Sequence, residues 1–164
     1  MNIFLIGMMG TGKSTVGVLL ANVLKIPFLD LDKEIEKSTK KTISKIFELN
    51  GESAFRKIEM EHLKEISASV VACGGGIILN EENRNFIQGN GTAVLLTASI
   101  KELLPRLKGA ARRPLLAKNN VEKSLIQLWS DRREKYLSIA DITINTDGKT
   151  PEEITNEILI NLQS

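Results

Sequence analysis

The run Gly7-Met8-Met9-Gly10-Thr11-Gly12-Lys13-Ser14 has the residue types and spacing to hold a polyphosphate. It fits G-x-x-x-x-G-K-[ST] at every position, a pattern in which successive backbone N–H groups turn inward on phosphate oxygens. A Cβ at the motif glycines would crowd the phosphates. Lys13 has the length to reach β- and γ-phosphates, and the Ser14 hydroxyl is a ligand for Mg²⁺. The run sits between a continuous apolar stretch, Asn2 to Ile6, and a periodic one that puts Val16, Leu19, Leu20, Val23 and Leu24 on one helical face. Strand, glycine turn and helix N-terminus together favour anion binding. Nucleotide binding is therefore expected at Gly10, Thr11, Gly12, Lys13, Ser14 and Thr15. The fate of the γ-phosphate is not contained in this pattern.

Asp30-Leu31-Asp32 follows a second short strand, Phe28 to Asp30, and belongs to the same rim. Alternation in an extended segment predicts both carboxylates on one side. Two carboxylates beside a Mg-nucleotide suit two tasks, orienting the metal through its waters and receiving a proton from an acceptor hydroxyl. Three arginines could neutralise an anionic acceptor or a transferring phosphoryl group: Arg56, Arg113 and Arg132. Guanidinium forks match carboxylate and phosphate oxygens. By type and spacing alone each reads first as a surface arginine. The residues alone thus reach as far as a nucleoside-triphosphate enzyme with basic groups available to an anionic acceptor.

The elements that must position these groups alternate. Strands are expected at Asn2 to Ile6, Phe28 to Asp30, Val70 to Cys73, Ala93 to Thr97 and Ile142 to Asn145. Between Asp32 and about Ser67 the pattern predicts two or three short helices, with Thr42 as an N-cap and Gly51 as a break. Further helices are expected near Ser99 to Leu107 and Val121 to Ser138. A terminal helix opens at Thr150-Pro151-Glu152-Glu153, with a capping box. Strands alternating with helices predict an α/β fold around a parallel sheet, with ligands at the carboxyl ends of the strands.

Composition bounds the partners. The chain has 164 residues, 42% hydrophobic and 26% charged, with a net charge of +2. These are the proportions of an ordinary globular protein, and no excess of charge points to nucleic acid or to a membrane surface. No stretch approaches the roughly 20 apolar residues of a membrane span, and the apolar start lacks a basic leader region. The single cysteine, Cys73, fits a reducing compartment. A cytoplasmic protein is expected, acting as a monomer on small molecules.

Taken in order, several segments resemble the shikimate kinases. They are the phosphate loop, Phe28-Leu29-Asp30-Leu31-Asp32, Gly51-Glu52-Ser53-Ala54-Phe55-Arg56-Lys57-Ile58-Glu59, Gly74-Gly75-Gly76, Arg113-Pro114-Leu115-Leu116 and Arg132 with Tyr136. The resemblance spans nearly the whole chain. It implies one kinase domain over 1–164, a three-layer α/β/α fold with a five-stranded parallel sheet in the order 2-3-1-4-5. It also implies an acceptor-binding helical region at about 32–61 and a mobile lid at about 108–120. The implied reaction carries the γ-phosphoryl of ATP to the 3-hydroxyl of shikimate, with Mg²⁺. By the same resemblance Ser14 and Asp30 hold the metal, and Asp32 grips the acceptor hydroxyls as candidate base. Arg56 and Arg132 clamp the shikimate carboxylate, and Gly75 and Gly76 approach it through the backbone. Arg113 reaches from the lid, while Arg106 and Pro151 flank the adenine.

Some positions depart from that pattern or stand outside it. Asn145-Thr146 stands where the family often has Asp-Thr, and Cys73 where a small hydroxyl residue is common. Cys73 is expected to be a buried small residue, and His62 and Trp129 to be packing residues. The alternatives are a related kinase for a sugar acid such as gluconate, or a non-catalytic nucleotide-binding module.

Overall fold

The computed structural model describes residues 1–107 and 120–163. Arg113 and nearly all of the expected lid lie outside the described residues.

Five parallel strands form one sheet in the order β2-β3-β1-β4-β5, as expected. They are β1 (Asn2–Ile6), β2 (Phe28–Asp30), β3 (Val70–Ala72), β4 (Gly91–Thr97) and β5 (Ile142–Asn145). The central strand β1 is buried along its whole length. Its alternate side chains enter two separate cores, because successive residues of a strand point to opposite faces. Ile3 and Leu5 pack with Val16, Leu20, Val94, Leu96 and Ile158. Phe4 and Ile6 pack with Leu31, Ile35, Phe55, Leu63, Leu95 and Tyr136. The first core lies under α1 (Lys13–Leu24) and α7 (Pro151–Leu162), which makes the molecule three layers deep. The second lies under α2 (Leu31–Thr39), α3 (Ile43–Lys64), α4 (Glu81–Asn90), α5 (Ile100–Leu107) and α6 (Val121–Leu137).

Local signals account for many of the boundaries. Thr42 caps α3 by accepting from Lys45 N–H, and Gly51 interrupts that helix with φ 78 and ψ 170. Thr150 and Glu153 form the expected capping box at α7. No helix among the described residues is long and apolar enough to cross a membrane.

Three expectations need correction, and one helix, α4, was not expected. Helix α4 lacked a periodic signal, because only Phe86 and Ile87 are apolar in a polar ten-residue stretch. Its start is nonetheless marked by Asn80, whose side chain accepts from the N–H groups of Glu82 and Asn83. Val23 is exposed rather than on the buried face of α1, which is formed by Val16, Gly17, Leu20 and Ala21. Asp30 and Asp32 do not alternate along one strand. The chain turns into α2 at Leu31, so Asp30 becomes the N-cap, accepting from Lys33 N–H, and Asp32 falls in the first helical turn. His62 is not core packing. It is half-buried and bonded through Nε2 to Ser38 Oγ (2.6 Å) and through Nδ1 to Ile58 O (2.9 Å), tying α3 to α2.

Candidate active site

The carboxyl ends of β1, β2 and β3 open onto one cavity of about 580 Å³. The phosphate loop forms one wall, from Met9 through Gly10, Thr11, Gly12 and Lys13 to Ser14 and Thr15. Asp30, Asp32, Gly74 and Gly75 form another, and Arg106, Lys149 and Pro151 close the far end. The loop is shaped by backbone conformations that side chains rarely adopt: Gly10 has φ 82 and Gly12, immediately before α1, has φ 90. Thr11 is buried and donates to Met8 O at 2.9 Å, bracing the turn from within. Lys13 Nζ donates to Gly7 O and Met8 O, each at 2.8 Å, which holds its ammonium against the loop.

Across the cavity, Ser14 Oγ donates to Asp30 Oδ2 at 2.8 Å. Asp30 thereby serves the helix cap with one oxygen and the loop serine with the other. The Asp32 carboxyl titrates above its ordinary range. Burial is the main cause and the charge of Asp30 adds to it, while Lys13 and Arg56 pull the other way. A Cβ on Gly74 would press on the Asp32 carboxylate, so the glycine makes room for that group.

Arg56, Gly76 and Arg132 do not line this cavity but meet at the glycine turn that borders it. Arg56 is tied to Glu52 (3.1 Å) and Glu59 (2.8 Å), and a Cβ on Gly76 would overlap its guanidinium. Arg132, buried on α6, donates to Gly75 O at 3.1 Å, and the Tyr136 hydroxyl donates to the same carbonyl at 2.5 Å. Two side chains one helical turn apart therefore fix one peptide of the glycine turn. Burial pushes the Tyr136 phenol up to about 12, so it stays a donor. Arg106 reaches back from α5 to Gly10 O (3.1 Å) and pairs with Glu102.

The sequence over residues 9–163 matches the family model for shikimate kinase. The chain belongs to the shikimate kinase family. A shikimate kinase of Coxiella burnetii is 42% identical, with 99% of this chain and 93% of that protein aligned. One of Persephonella marina is 44% identical over 96% of each chain. A solved shikimate kinase from Acinetobacter baumannii, in complex with shikimate, superposes with a TM-score of 0.94. It shares 39% identity, with 99% of this chain and 92% of that one covered. A gluconokinase from Sinorhizobium meliloti, at 19% identity and a TM-score of 0.59, shares the fold alone. As a shikimate kinase family member the protein is an ATP-dependent kinase.

Within this shikimate kinase site the geometry adds residues that pattern alone left without a task. Glu59 is fully buried on α3, where Arg56 one turn earlier is the detectable sequence signal. Asn83 is fully buried on α4 and donates to the same Glu59 oxygen at 2.9 Å, with no local signal to announce it. Lys149, on the cavity wall, pairs with Glu157. Cys73 and Trp129 are packing residues, as expected. Burial drives the Cys73 thiol upward, which keeps it protonated and unreactive, and Trp129 stacks against Tyr136.

Proposed function

We propose that this chain transfers the γ-phosphoryl group of ATP to the 3-hydroxyl of shikimate, yielding 3-phosphoshikimate and ADP. The observation that carries this reading is Asp32. Its carboxylate lines the same cavity as Gly12 and Lys13, with the Arg56 and Arg132 guanidinium groups at the adjoining glycine turn. The shikimate bound in the related Acinetobacter baumannii enzyme supports shikimate as the acceptor.

On this reading the N–H groups of Gly10 to Thr15 cradle the phosphates at the N-terminus of α1. The Lys13 ammonium exchanges its carbonyl partners for β- and γ-phosphate oxygens. Arg106 and Pro151 flank the adenine, and Arg113, outside the described residues, reaches the phosphates. Arg56 and Arg132 take the acceptor carboxylate, and the backbone of Gly75 and Gly76 sets how closely it approaches. Asp32 holds the 3-hydroxyl and receives its proton as the oxygen bonds to the γ-phosphorus and the bond to the β-phosphate oxygen breaks. Its upward-shifted carboxyl suits this role, since a base works best when its pKa lies nearer the working pH. Most of the catalysis is positioning and charge neutralisation.

The Ser14–Asp30 pair fits Mg²⁺. Two hard oxygen donors 2.8 Å apart, beside a phosphate cradle, suit an ion that keeps most of its waters. When bound, Mg²⁺ screens charge on the β- and γ-phosphates. We assign the enzyme to the cytoplasm as a monomer with two small-molecule substrates.

A coupled assay of ADP release tests the proposal, run across shikimate, gluconate and related hydroxy acids with and without Mg²⁺. Turnover dependent on both shikimate and Mg²⁺ is expected. Folded protein with no shikimate turnover, or with a higher kcat/KM for a sugar acid, would overturn it.

A further inference from the structure

Glu59 is a carboxylate with no exposure, and all of its support falls on one oxygen. Oε2 accepts from Arg56 Nη1 at 2.8 Å and from Asn83 Nδ2 at 2.9 Å. Oε1 is buried without a hydrogen-bond partner, as are Arg56 Nε and Asn83 Oδ1. A buried carboxylate held at a single oxygen depends strongly on each donor there, because unmet polar groups are expensive in a low-dielectric interior. One donor is Arg56 itself. The other comes from a different helix.

Asn83 is built to hold that position. Its backbone N–H is capped by Asn80 Oδ1 at 3.3 Å, which anchors it in the first turn of α4. Its Nδ2 also donates to Ile77 O at 3.3 Å, in the short turn Ile77–Leu79 directly after the glycine run. Both groups facing Nδ2 are acceptors, so the orientation of the amide is set. Asn83 therefore joins three pieces: α4, the turn that follows Gly76, and the Glu59 carboxylate on α3. Those pieces bear on one another at the spot where the Arg56 guanidinium fills the space that a Gly76 side chain would occupy.

We propose that Asn83 is a positioning residue for the acceptor site, holding Arg56 in register with the glycine turn through Glu59. This rests on the reading that Arg56 binds the acceptor anion, and it adds a residue on a helix that contributes nothing to the lining of the cavity described above. A purely structural asparagine would affect stability and both substrates alike. A positioning asparagine affects the acceptor selectively.

The charged surroundings make the relay sensitive to protons. Glu59 faces Arg56 on its own helix, Asp32 on α2, the neutral Cys73 at the end of β3 and the neutral Asn83 on α4. An aspartate at position 83 keeps the shape of the amide but opposes a second carboxylate to Glu59. The two groups then meet favourably only with a proton between them.

The experiment measures KM for shikimate, KM for ATP and kcat in Asn83→Ala and Asn83→Asp between pH 6 and 9. For Asn83→Ala the shikimate KM should rise about tenfold to a hundredfold, the usual effect of losing a hydrogen bond to a charged group, with kcat and the ATP KM within about twofold. For Asn83→Asp the shikimate KM should climb with pH more steeply than in the wild type. Equal shifts in both KM values, or an Asn83→Asp profile parallel to the wild type, would overturn the proposal. Should Asn83→Ala fail to fold, the isosteric Asn83→Asp decides alone. Arg56→Ala separates the two levels. If its shikimate KM is unchanged, the acceptor site is misread. If that KM rises while both Asn83 variants behave as wild type, only the relay is wrong.

Discussion

The Arg56 guanidinium occupies the space in which a side chain at Gly76 would begin. Gly76 has φ −96 and ψ 0, a conformation open to any residue, so the demand for glycine here comes from Arg56 and not from the backbone. Arg56 cannot simply swing aside, because Glu52 and Glu59 hold it from two sides.

Gly76→Ala should therefore act on the acceptor and leave the nucleotide alone. The methyl displaces a tethered guanidinium, and the shikimate KM should rise about tenfold, in line with losing roughly one charge-assisted hydrogen bond. Steady-state kinetics with each substrate varied in turn check this. An unchanged shikimate KM would mean that Arg56 does not meet the acceptor.

Lys13→Ala should lose kcat by at least about a hundredfold, the scale of removing one preorganised cation or donor from a developing charge. The fold should persist, since the hydrogen bonds of Lys13 to Gly7 O and Met8 O lie within the loop itself. Single-turnover rates at saturating ATP separate this from weaker binding. A variant with normal kcat and a raised ATP KM would reassign Lys13 to ground-state binding.

Asp32→Asn tests the proton acceptor. The wild-type acid limb of kcat/KM should lie above the ordinary carboxylate value of 3.8, because burial and Asp30 both disfavour the Asp32 charge. The asparagine variant should lose that limb and fall by about 10²–10⁴ in kcat, the usual contribution of general base catalysis. A fall confined to KM would leave Asp32 with orientation only.

Stability should carry the mark of Glu59. Burial pushes its carboxyl up to about 7 from 4.5, outweighing the opposing pull of Arg56. The folded protein thus holds a proton that the unfolded chain has already released over that window. Folding stability from this group is full below about 4.5 and declines as pH rises through about 7. The decline should be on the order of 3 kcal/mol. Glu59→Gln removes the titration, so its denaturant midpoint should vary less between pH 5 and 8 than that of the wild type. Parallel curves for the two proteins would show that Glu59 is ionised throughout.

What the chain discloses by itself is whatever is written within a turn or two of backbone. The phosphate loop was legible because its glycines, Lys13 and Ser14 do their work within eight consecutive residues. The strands β1, β4 and β5 and the Thr150 cap were legible for the same reason. The sheet order and the roles of Arg56 and Arg132 were reached through resemblance to a family, since neither residue carries a local mark of its task. Tertiary structure alone decided the rest. It turned Asp30 into a helix cap and moved Asp32 off the strand, because the chain enters α2 directly after Asp30. It brought Asn83 to Glu59 across 24 positions and Arg132 to Gly75 across 57. Such pairings depend on which strands lie side by side and how helices stack over them, and those relations are set by burial of the whole sheet, not by any short stretch of sequence.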